Sequence, residues 1–570
     1  MPAVPPRPVT LRDLKPLSQL RTMFSAAAAR ARSRALKALA RRPITSPAVL
    51  LAYHELLLFA AAHPDDPAIA DLVSRELDRI GAIAADLARR PAAAHQLADS
   101  GLPGTTLEST FLLDNARWLA RTCPRDVEIA WADDESAGER LNDLLAAIVE
   151  PAEYDGVVNG LITMRQWFDI AAKPRGNQLA RLLSRLPETG DDPRLTDFAF
   201  DAVELPIRWT IRDPARSRAQ LRFPARPIHF QGDPIIRAVD VPAILNQPLP
   251  PPRLLSSRAI AALLDTARAS LLVRGRQTDP VTWANPRETL LFRLERGIDI
   301  LILGLRPGRR LPLESFFGYI AARNRVPVAY GGAWIWFDRA EIGINIFDTF
   351  RGGESAFLFT QIMRVYAQRF GARRFLVDPF QFGADNEEAI ASGAYWFYDR
   401  LGYRPVDPAL RRLADREREK RAADPTRRSS TAVLRRLAGS KLQLDLHDEP
   451  ADDSPDELME IALAITDAIA HRFDGDPVRA RAWADRRAAA LLGERLPPSH
   501  LTLLVALLPG ITRWTDRQRR ALAAIVRAKH GPREGEYVAR MRRHPRLRRA
   551  LGQLAHRGCR LFQQAPPGGA

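Results

Sequence analysis

The chain has 570 residues, of which 46% are hydrophobic and 26% are charged. This length predicts roughly two to four domains, and this composition is ordinary for a globular protein with a buried core. The formal net charge of +17 comes almost wholly from arginine, since only six of the 84 basic residues are lysines. A GC-rich genome raises arginine throughout a chain, so we predict a generic solvated surface, with a specific polyanion partner as the alternative.

Several classes of protein are excluded by what the sequence lacks. Cys123 and Cys559 have no metal-like or redox-like companions, and the ten histidines are scattered, so we expect no metal site. No serine-nucleophile elbow or phosphate-loop lysine motif is present. The N-terminus lacks an apolar signal core, and the most apolar runs, residues 49–62 and 501–509, are too short to cross a bilayer. We therefore expect a cytoplasmic protein without membrane insertion.

Residues 1–190 are predicted to form a helical N-terminal region. Apolar residues recur there at helical spacing and prolines separate the segments, which predicts helices over residues 22–41, 47–62, 67–90, 106–121, 139–149 and 177–186. Residues 191–255 change to extended segments punctuated by proline and are predicted to be a connector.

Residues 256–410 are predicted to form an α/β domain. A helix over residues 257–273 leads into strand-like runs at residues 298–303, 316–323, 327–337 and 341–347, which together predict an antiparallel meander. The pair Gly331-Gly332 indicates a bulge or a close approach of the backbone.

A glycine-containing loop follows the last of these strands. Arg351-Gly352-Gly353-Glu354-Ser355-Ala356 leads into a helical pattern over residues 357–370. A strand, a glycine turn and a helix N-terminus bring unpaired N–H groups and the positive end of the helix dipole to one point. This segment therefore predicts a cradle for phosphate.

The next strand and helix complete the unit. Residues 373–378 are predicted to be a buried strand that Pro379 ends, and Asn386 is a good N-cap for the following helix. That helix is predicted to end near Leu401-Gly402, where glycine suits the left-handed terminal position. Residues 403–406 then resume as a strand.

The rest of the chain is predicted to be helical apart from a charged linker. The linker covers residues 411–450, includes the end of a charged helix over residues 408–423, and precedes a helical C-terminal region at residues 451–570. Basic helices at residues 30–42 and 540–549 could bind RNA phosphate, although the same pattern is typical of the solvated face of an amphipathic helix.

The segments from residue 298 to residue 406, about a fifth of the chain, resemble the GNAT superfamily of acyl-CoA-dependent N-acyltransferases. The likeness is carried by the glycine loop, by Asn386, and by Phe397-Tyr398-Asp399-Arg400-Leu401-Gly402-Tyr403. It implies a mixed, largely antiparallel sheet flanked by helices, acyl-CoA as co-substrate, and a small-molecule or protein amine as acceptor. It also implies that Tyr398 protonates the departing CoA thiolate and that CoA is bound by Phe350, Arg351, Gly352, Gly353, Glu354, Ser355, Ala356 and Asn386.

The loop departs from the superfamily pattern, Arg/Gln-x-x-Gly-x-Gly/Ala. With Arg351 in the first position, Glu354 stands where glycine is expected. Shifting the alignment by one residue places Gly353 in the glycine position but Phe350 in that of Arg/Gln. Two alternatives therefore stay open: a transferase of the same fold that uses aminoacyl-tRNA, and a catalytically silent GNAT fold used for protein interaction.

The residue that would accept the proton of the incoming amine is also open. Glu341, Asp348 and Asp378 lie at or near strand ends that would face the cleft. A general base must reach the amine by a hydrogen bond, directly or through water. We expect the base among these three carboxylates, with Glu341 and Asp378 as the leading candidates.

Overall fold

A computed structural model describes residues 6–131, 135–172, 177–186, 193–424, 426–446, 457–497 and 500–564. Two clusters of buried hydrophobic residues organise this part of the chain. The large core joins N-terminal helices, a sheet of eight strands and C-terminal helices. The small core is built mainly by residues from Leu107 to Ile211, which we call the small unit, and is completed by Leu221, Ala269, Leu272 and Val273.

The N-terminal helices begin at side chains suited to capping. Ser25 Oγ accepts a hydrogen bond from Ala28 N at 3.2 Å, and Asp66 Oδ1 accepts one from Ile69 N at 2.8 Å. Such caps satisfy N–H groups that a helix leaves free at its start. The helices are α1 (Leu11–Leu20), α2 (Ala26–Ala40), α3 (Pro47–Ala62), α4 (Pro67–Leu87) and α5 (Pro91–Leu97), so the predicted helix over residues 47–62 is confirmed.

The small unit combines helices with a three-stranded antiparallel sheet, in the order β1-β3-β2. Its elements are β1 (Thr106–Thr110), α6 (Leu113–Thr122), β2 (Val127–Ile129), α7 (Glu135–Ile148), α8 (Pro151–Val158), α9 (Met164–Ala171), α10 (Gln178–Arg185), α11 (Pro193–Asp201) and β3 (Pro206–Thr210). The predicted helix over residues 106–121 is wrong at its start, because Leu107 pairs with Trp209 across β1 and β3. Likewise, the predicted connector supplies β3 to this sheet.

The central sheet has eight strands in the order β10-β11-β9-β8-β7-β6-β5-β4. They are β4 (Ala284–Arg293), β5 (Ile298–Leu305), β6 (Ser315–Arg323), β7 (Val326–Trp336), β8 (Arg339–Ile346), β9 (Arg374–Val377), β10 (Arg404–Pro405) and β11 (Leu442–Asp445). Neighbouring strands are antiparallel except β8 and β9, which are parallel. The expected class, a mixed sheet flanked by helices, is confirmed at that level of detail.

Helices connect and cover these strands. Those before and within the sheet are α12 (Val241–Asn246), α13 (Ser257–Leu272), α14 (Asp279–Thr282), α15 (Ser355–Phe370), α16 (Glu387–Ser392), α17 (Tyr395–Arg400), α18 (Pro408–Ala423) and α19 (Thr431–Leu437). The structure contradicts the predicted linker at residues 411–450, because this range contains most of α18, all of α19 and strand β11. β11 pairs with both β9 and β10, so the central unit extends beyond residue 410.

Two polar contacts join the C-terminal helices to the end of β7 and to the turn that follows it. Trp336 Nε1 donates to Glu457 Oε2 at 2.7 Å, and Arg548 Nη1 donates to Asp338 Oδ1 at 2.7 Å. These helices are α20 (Glu457–Phe473), α21 (Pro477–Leu492), α22 (His500–Leu507), α23 (Asp516–His530), α24 (Glu534–Arg542) and α25 (Pro545–Gln564). Within the described ranges, no helix is both long enough and apolar enough to span a membrane.

The glycine pair in β7 allows a close approach of neighbouring groups. A Cβ atom at Gly331 would lie 2.6 Å from the Tyr319 hydroxyl and would also collide with the carbonyl of Gly343. The sequence-based expectation of close approach is therefore confirmed, and the register is unbroken at this pair.

We expect Gly331→Ala to destabilise the protein by about 1–3 kcal/mol, because a backbone carbonyl in the middle of a sheet has little room to move. Gly308→Ala is the matched control, since a Cβ atom at Gly308 would meet nothing within 4 Å. Urea denaturation followed by tryptophan fluorescence measures both variants. Equal transition midpoints for the two would contradict the prediction.

Candidate functional site

The parallel strands β8 and β9 separate soon after they meet. They pair at Arg339 with Arg374, Ala340 with Phe375 and Glu341 with Leu376. β8 then continues to Ile346 beside β7 alone. The side chain of Gln381 lies against the backbone of Gly343 in this opening, 3.2 Å from where a Cβ atom would be. The sheet is thus split on the side of β8 that faces β9.

The loop between β8 and α15 presents an uncapped helix N-terminus. α15 begins at Ser355, and the residue before it, Glu354, makes no side-chain capping bond. The N–H groups of the first helical turn have no acceptor within the helix. Gly352 has a φ of +77° and open space around it, which suits glycine. Arg351 and Gly352 are exposed, while Ser355 and Ala356 are half-buried.

The carboxylate of Glu354 points into the protein. Its Oε1 accepts from Arg296 Nη2 at 2.6 Å and from the backbone N–H of Ile236 at 3.0 Å, and its Oε2 accepts from Arg323. Burial alone would raise the pKa of Glu354, but the charge of Arg323 and these hydrogen bonds outweigh it and lower that pKa to about 2. The negative charge is therefore held by two guanidinium groups.

N-terminal helices close the inner side of the loop. Arg21 donates to the carbonyls of Thr349 and Arg351, the latter at 2.9 Å, and Thr349 donates to Glu55. Phe59 lies 3.5 Å from where a Cβ atom of Gly353 would be. These contacts occupy the inner side of the loop, whereas Arg351 and Gly352 are exposed on its outer side.

Phe350 does not fit the cofactor-binding role predicted for it. Its side chain is only 4% exposed and belongs to the large core. It lines a cavity of about 20 Å³, together with His63, Arg323, Glu354 and Ser355. That volume holds about one water molecule, so CoA cannot enter there.

Tyr398 lies inside an aromatic cluster next to the opening in the sheet. Its ring meets those of Phe359, Phe382 and Tyr403 at centroid distances of 5.8, 6.2 and 5.8 Å. Burial raises the pKa of its hydroxyl above the ordinary value of 10. Phe382, one of its ring neighbours, follows Gln381, whose side chain lies in the opening beside Gly343. Tyr398 is thus a protonated phenol near the point where β8 and β9 part.

Asn386 has a structural role in the described fold. Its Oδ1 accepts from Ala389 N and its Nδ2 donates to the Phe380 carbonyl, both at 3.0 Å. The N-cap prediction is confirmed, and both polar atoms of the side chain are already engaged. The single helix predicted after Asn386 is interrupted at Gly393, which has a φ of +66°, so α16 and α17 are separate.

The three candidate bases occupy different settings. Glu341 is the last residue of β8 to pair with β9 and forms an ion pair with Lys441 at 3.0 Å. Asp378 is exposed and caps the N–H of Phe380 at 2.9 Å. Asp348 is highly exposed and pairs with Arg351 at 2.9 Å. Glu341 is thus the carboxylate closest in the strand register to the opening.

Sequence reasoning missed the partners that surround the loop. Arg296 and Arg323 precede Glu354 by 58 and 31 residues, and Arg21 precedes Thr349 by 328. No local pattern connects residues so far apart. The one local signal was Glu354 itself, a carboxylate at the position where the superfamily pattern has glycine. A carboxylate placed there needs a counter-charge if it is buried.

Within the described ranges, no group of three or more histidine, cysteine, aspartate or glutamate side chains is arranged to hold a metal ion. No family model matches the chain, and no curated protein or solved structure matches it significantly.

Proposed function

We propose that the central unit is a GNAT-type N-acyltransferase that moves an acyl group from acyl-CoA to an amine. The observation that carries this proposal is the order of its parts. An antiparallel meander ends in β8, a glycine loop and α15 follow, and β9 returns parallel to β8 before the two strands diverge. The order of meander, glycine loop, helix and strand is the one in which the segments between residues 298 and 406 resemble the superfamily.

The orientation of Glu354 supports CoA binding at the loop. A carboxylate aimed at a pyrophosphate would oppose binding, but this one is turned inward and paired with Arg296 and Arg323. The uncapped N–H groups of α15 then remain available to an anion on the outer side. In this proposal, Arg351 and the backbone from Gly352 to Ala356 receive the pyrophosphate.

The opening between β8 and β9 would hold the thioester beside the amine. Fixing the two reactants together removes much of the entropic cost of a bimolecular step. Glu341, at the start of the opening, would accept the amine proton directly or through water, and Tyr398 would protonate the thiolate. The protein supplies the proton donor, the proton acceptor and the alignment of the two reactants.

We expect Ser355→Asp to weaken CoA binding at least tenfold. The new carboxylate would lie in the first turn of α15. The helix dipole would stabilise it there, but its negative charge would repel pyrophosphate. Ser257→Asp is the matched control, because Ser257 is also the first residue of a helix, α13, and is exposed. Isothermal titration of the full chain with CoA and acetyl-CoA measures the difference.

The outcomes of this titration separate the alternatives. Binding of CoA that Ser257→Asp retains and Ser355→Asp loses supports the acyltransferase. Absence of heat with every acyl-CoA, with tRNA co-purifying, favours an aminoacyl-tRNA donor. Absence of both favours a silent fold used for protein interaction.

A further inference from the structure

Four half-buried arginines, which we refer to as the arginine cluster, lie near the strand that leads into the glycine loop: Arg218, Arg222, Arg274 and Arg325. A Cβ atom at Gly101 would lie 2.7 Å from Arg218 Cδ and 2.6 Å from the carbonyl of Val273, so Arg218 lies beside the residue that precedes Arg274. Arg325 donates to the carbonyl of Phe223, the residue that follows Arg222. The four arginines come from three parts of the chain: the segment after β3, the end of α13, and the turn between β6 and β7. The guanidinium of Arg274 lies 4.1 Å from the centre of the Phe347 ring, at the end of β8.

The arginine cluster has fewer ion-paired carboxylates than guanidinium groups. In the part of the chain that the structure describes, its ion pair is that of Arg218 with Glu55, at 2.7 Å. Asp78, whose charge acts on Arg222, accepts a hydrogen bond from Gln220 instead. Asp299 likewise acts on Arg325 through its charge, while it forms its ion pair with Arg226. Four guanidinium groups with one ion pair therefore leave an excess of positive charge in a partly desolvated place.

The positive charges act on one another. Burial lowers the pKa of Arg274 well below its ordinary value, and the charges of Arg218 and Arg222 lower it further. Burial and the charge of Arg325 lower the pKa of Arg222 to about 10. Such an arrangement costs stability unless an anion offsets it.

Backbone carbonyls hold the guanidinium groups in place. Arg274 donates to Ser270 O at 2.6 Å, Arg222 to Leu221 O at 2.9 Å and Arg325 to Phe223 O at 2.9 Å. The Nε atoms of Arg218 and Arg274 are buried without a partner. Each guanidinium has five N–H donors, so fixed donors remain for a ligand.

We propose that the arginine cluster is a binding site for a phosphate group of a small ligand, such as a nucleotide. Arginine's planar fork suits phosphate, and charge-assisted bonds of this kind are the strong ones. Surfaces that bind nucleic acid non-specifically use solvated lysine and arginine side chains that lie along the phosphate backbone of the nucleic acid. These arginines are instead half-buried and held by backbone carbonyls, which favours one compact anion. The proposal does not depend on acyl transfer.

The test is isothermal titration of the full chain with pyrophosphate, inorganic phosphate and ATP at constant ionic strength. It is performed on the wild type and on Ser355→Asp, in which the N-terminus of α15 is blocked. We expect saturable binding in both, and at least tenfold weaker binding in Arg222→Met/Arg274→Met made on the Ser355→Asp background. Arg89→Met/Arg90→Met on the same background is the control, since both side chains are at least 67% exposed, and it should bind as Ser355→Asp does.

Removal of unpaired charge should not harm the unliganded fold. We expect Arg222→Met/Arg274→Met to melt at or above the wild-type temperature without ligand. On the Ser355→Asp background, pyrophosphate should raise the melting temperature when both arginines are present but not when both are replaced. If the variant does not fold, arginine-specific modification by phenylglyoxal serves in its place. Pyrophosphate should then protect Arg222 and Arg274 in the wild type but leave Arg89 reactive.

Three results would overturn the proposal. One is absence of saturable binding of any small phosphate to Ser355→Asp, and another is equal binding after both arginines are replaced. The third is binding of a single-stranded RNA, weakened steeply by salt, without binding of the small phosphates. A comparison of CoA with dephospho-CoA tests whether the bound phosphate is the 3′-phosphate of CoA. If the arginine variant loses affinity for CoA but not for dephospho-CoA, the arginine cluster binds that 3′-phosphate.

Discussion

Glu354→Ala should destabilise the region around α15 by about 3–5 kcal/mol, because it leaves two guanidinium groups in the interior without their counter-charge. The side chains of Glu354, Arg323 and Arg296 are only 2%, 5% and 17% exposed. The lost carboxylate also accepts the N–H of Ile236. Hydrogen exchange at the backbone amides of α15 measures the local free energy of opening.

The same residue predicts a dependence of stability on pH. The pKa of Glu354 is about 2 in the folded protein against an ordinary 4.5. The unfolded chain therefore takes up this proton first on acidification, so the stabilisation is complete above about pH 4.5 and is lost as the pH falls towards 2. The shift corresponds to about 3 kcal/mol. Glu354→Gln should lack this part of the acid dependence.

Glu388→Ala is the control for both measurements. Glu388 also pairs with an arginine, Arg351, but the side chains are 70% and 54% exposed. Exposed ion pairs contribute about 0–1 kcal/mol. A loss of protection in α15 as large in Glu388→Ala as in Glu354→Ala would refute the role of the buried pair.

Much of the central sheet could be predicted from sequence because its strands carry their own signal. Every residue of β5 is buried, from Ile298 to Leu305, and the run is apolar enough to indicate an interior strand. The meander, the loop and α15 follow in order, each marked by local composition. Local composition is therefore what made the resemblance visible.

The elements that were missed depend on contacts between distant residues. β1 has five residues, and its pairing with β3 fixes it as a strand. β11 has four residues between charged segments, and its pairing with β9 and β10 brings it into the sheet. The burial of Glu354 and the arginine cluster likewise arise only when separate segments meet. Periodicity cannot report such contacts.

Tyr398→Phe should lower kcat for acyl transfer by about 10²- to 10⁴-fold, the usual contribution of a positioned general acid. Because burial raises the pKa of the Tyr398 hydroxyl above 10, the group stays protonated through the physiological range. The rate in the wild type should fall only when the pH rises through that raised pKa. Stopped-flow measurement of free thiol release, with lysine ethyl ester as a first amine, gives the pH profile.

Tyr403→Phe is the control for the loss of a hydroxyl from the same aromatic cluster. The centre of the Tyr403 ring lies 5.8 Å from that of the Tyr398 ring. Within the described residues, the one hydrogen-bond partner of the Tyr403 hydroxyl is the sulfur of Met363, at 3.6 Å. We expect this variant to keep the wild-type rate and the wild-type alkaline limb. If Tyr398→Phe also keeps both while CoA still binds, the thiolate is protonated by another donor, and Tyr398 serves only to pack α17 against α15.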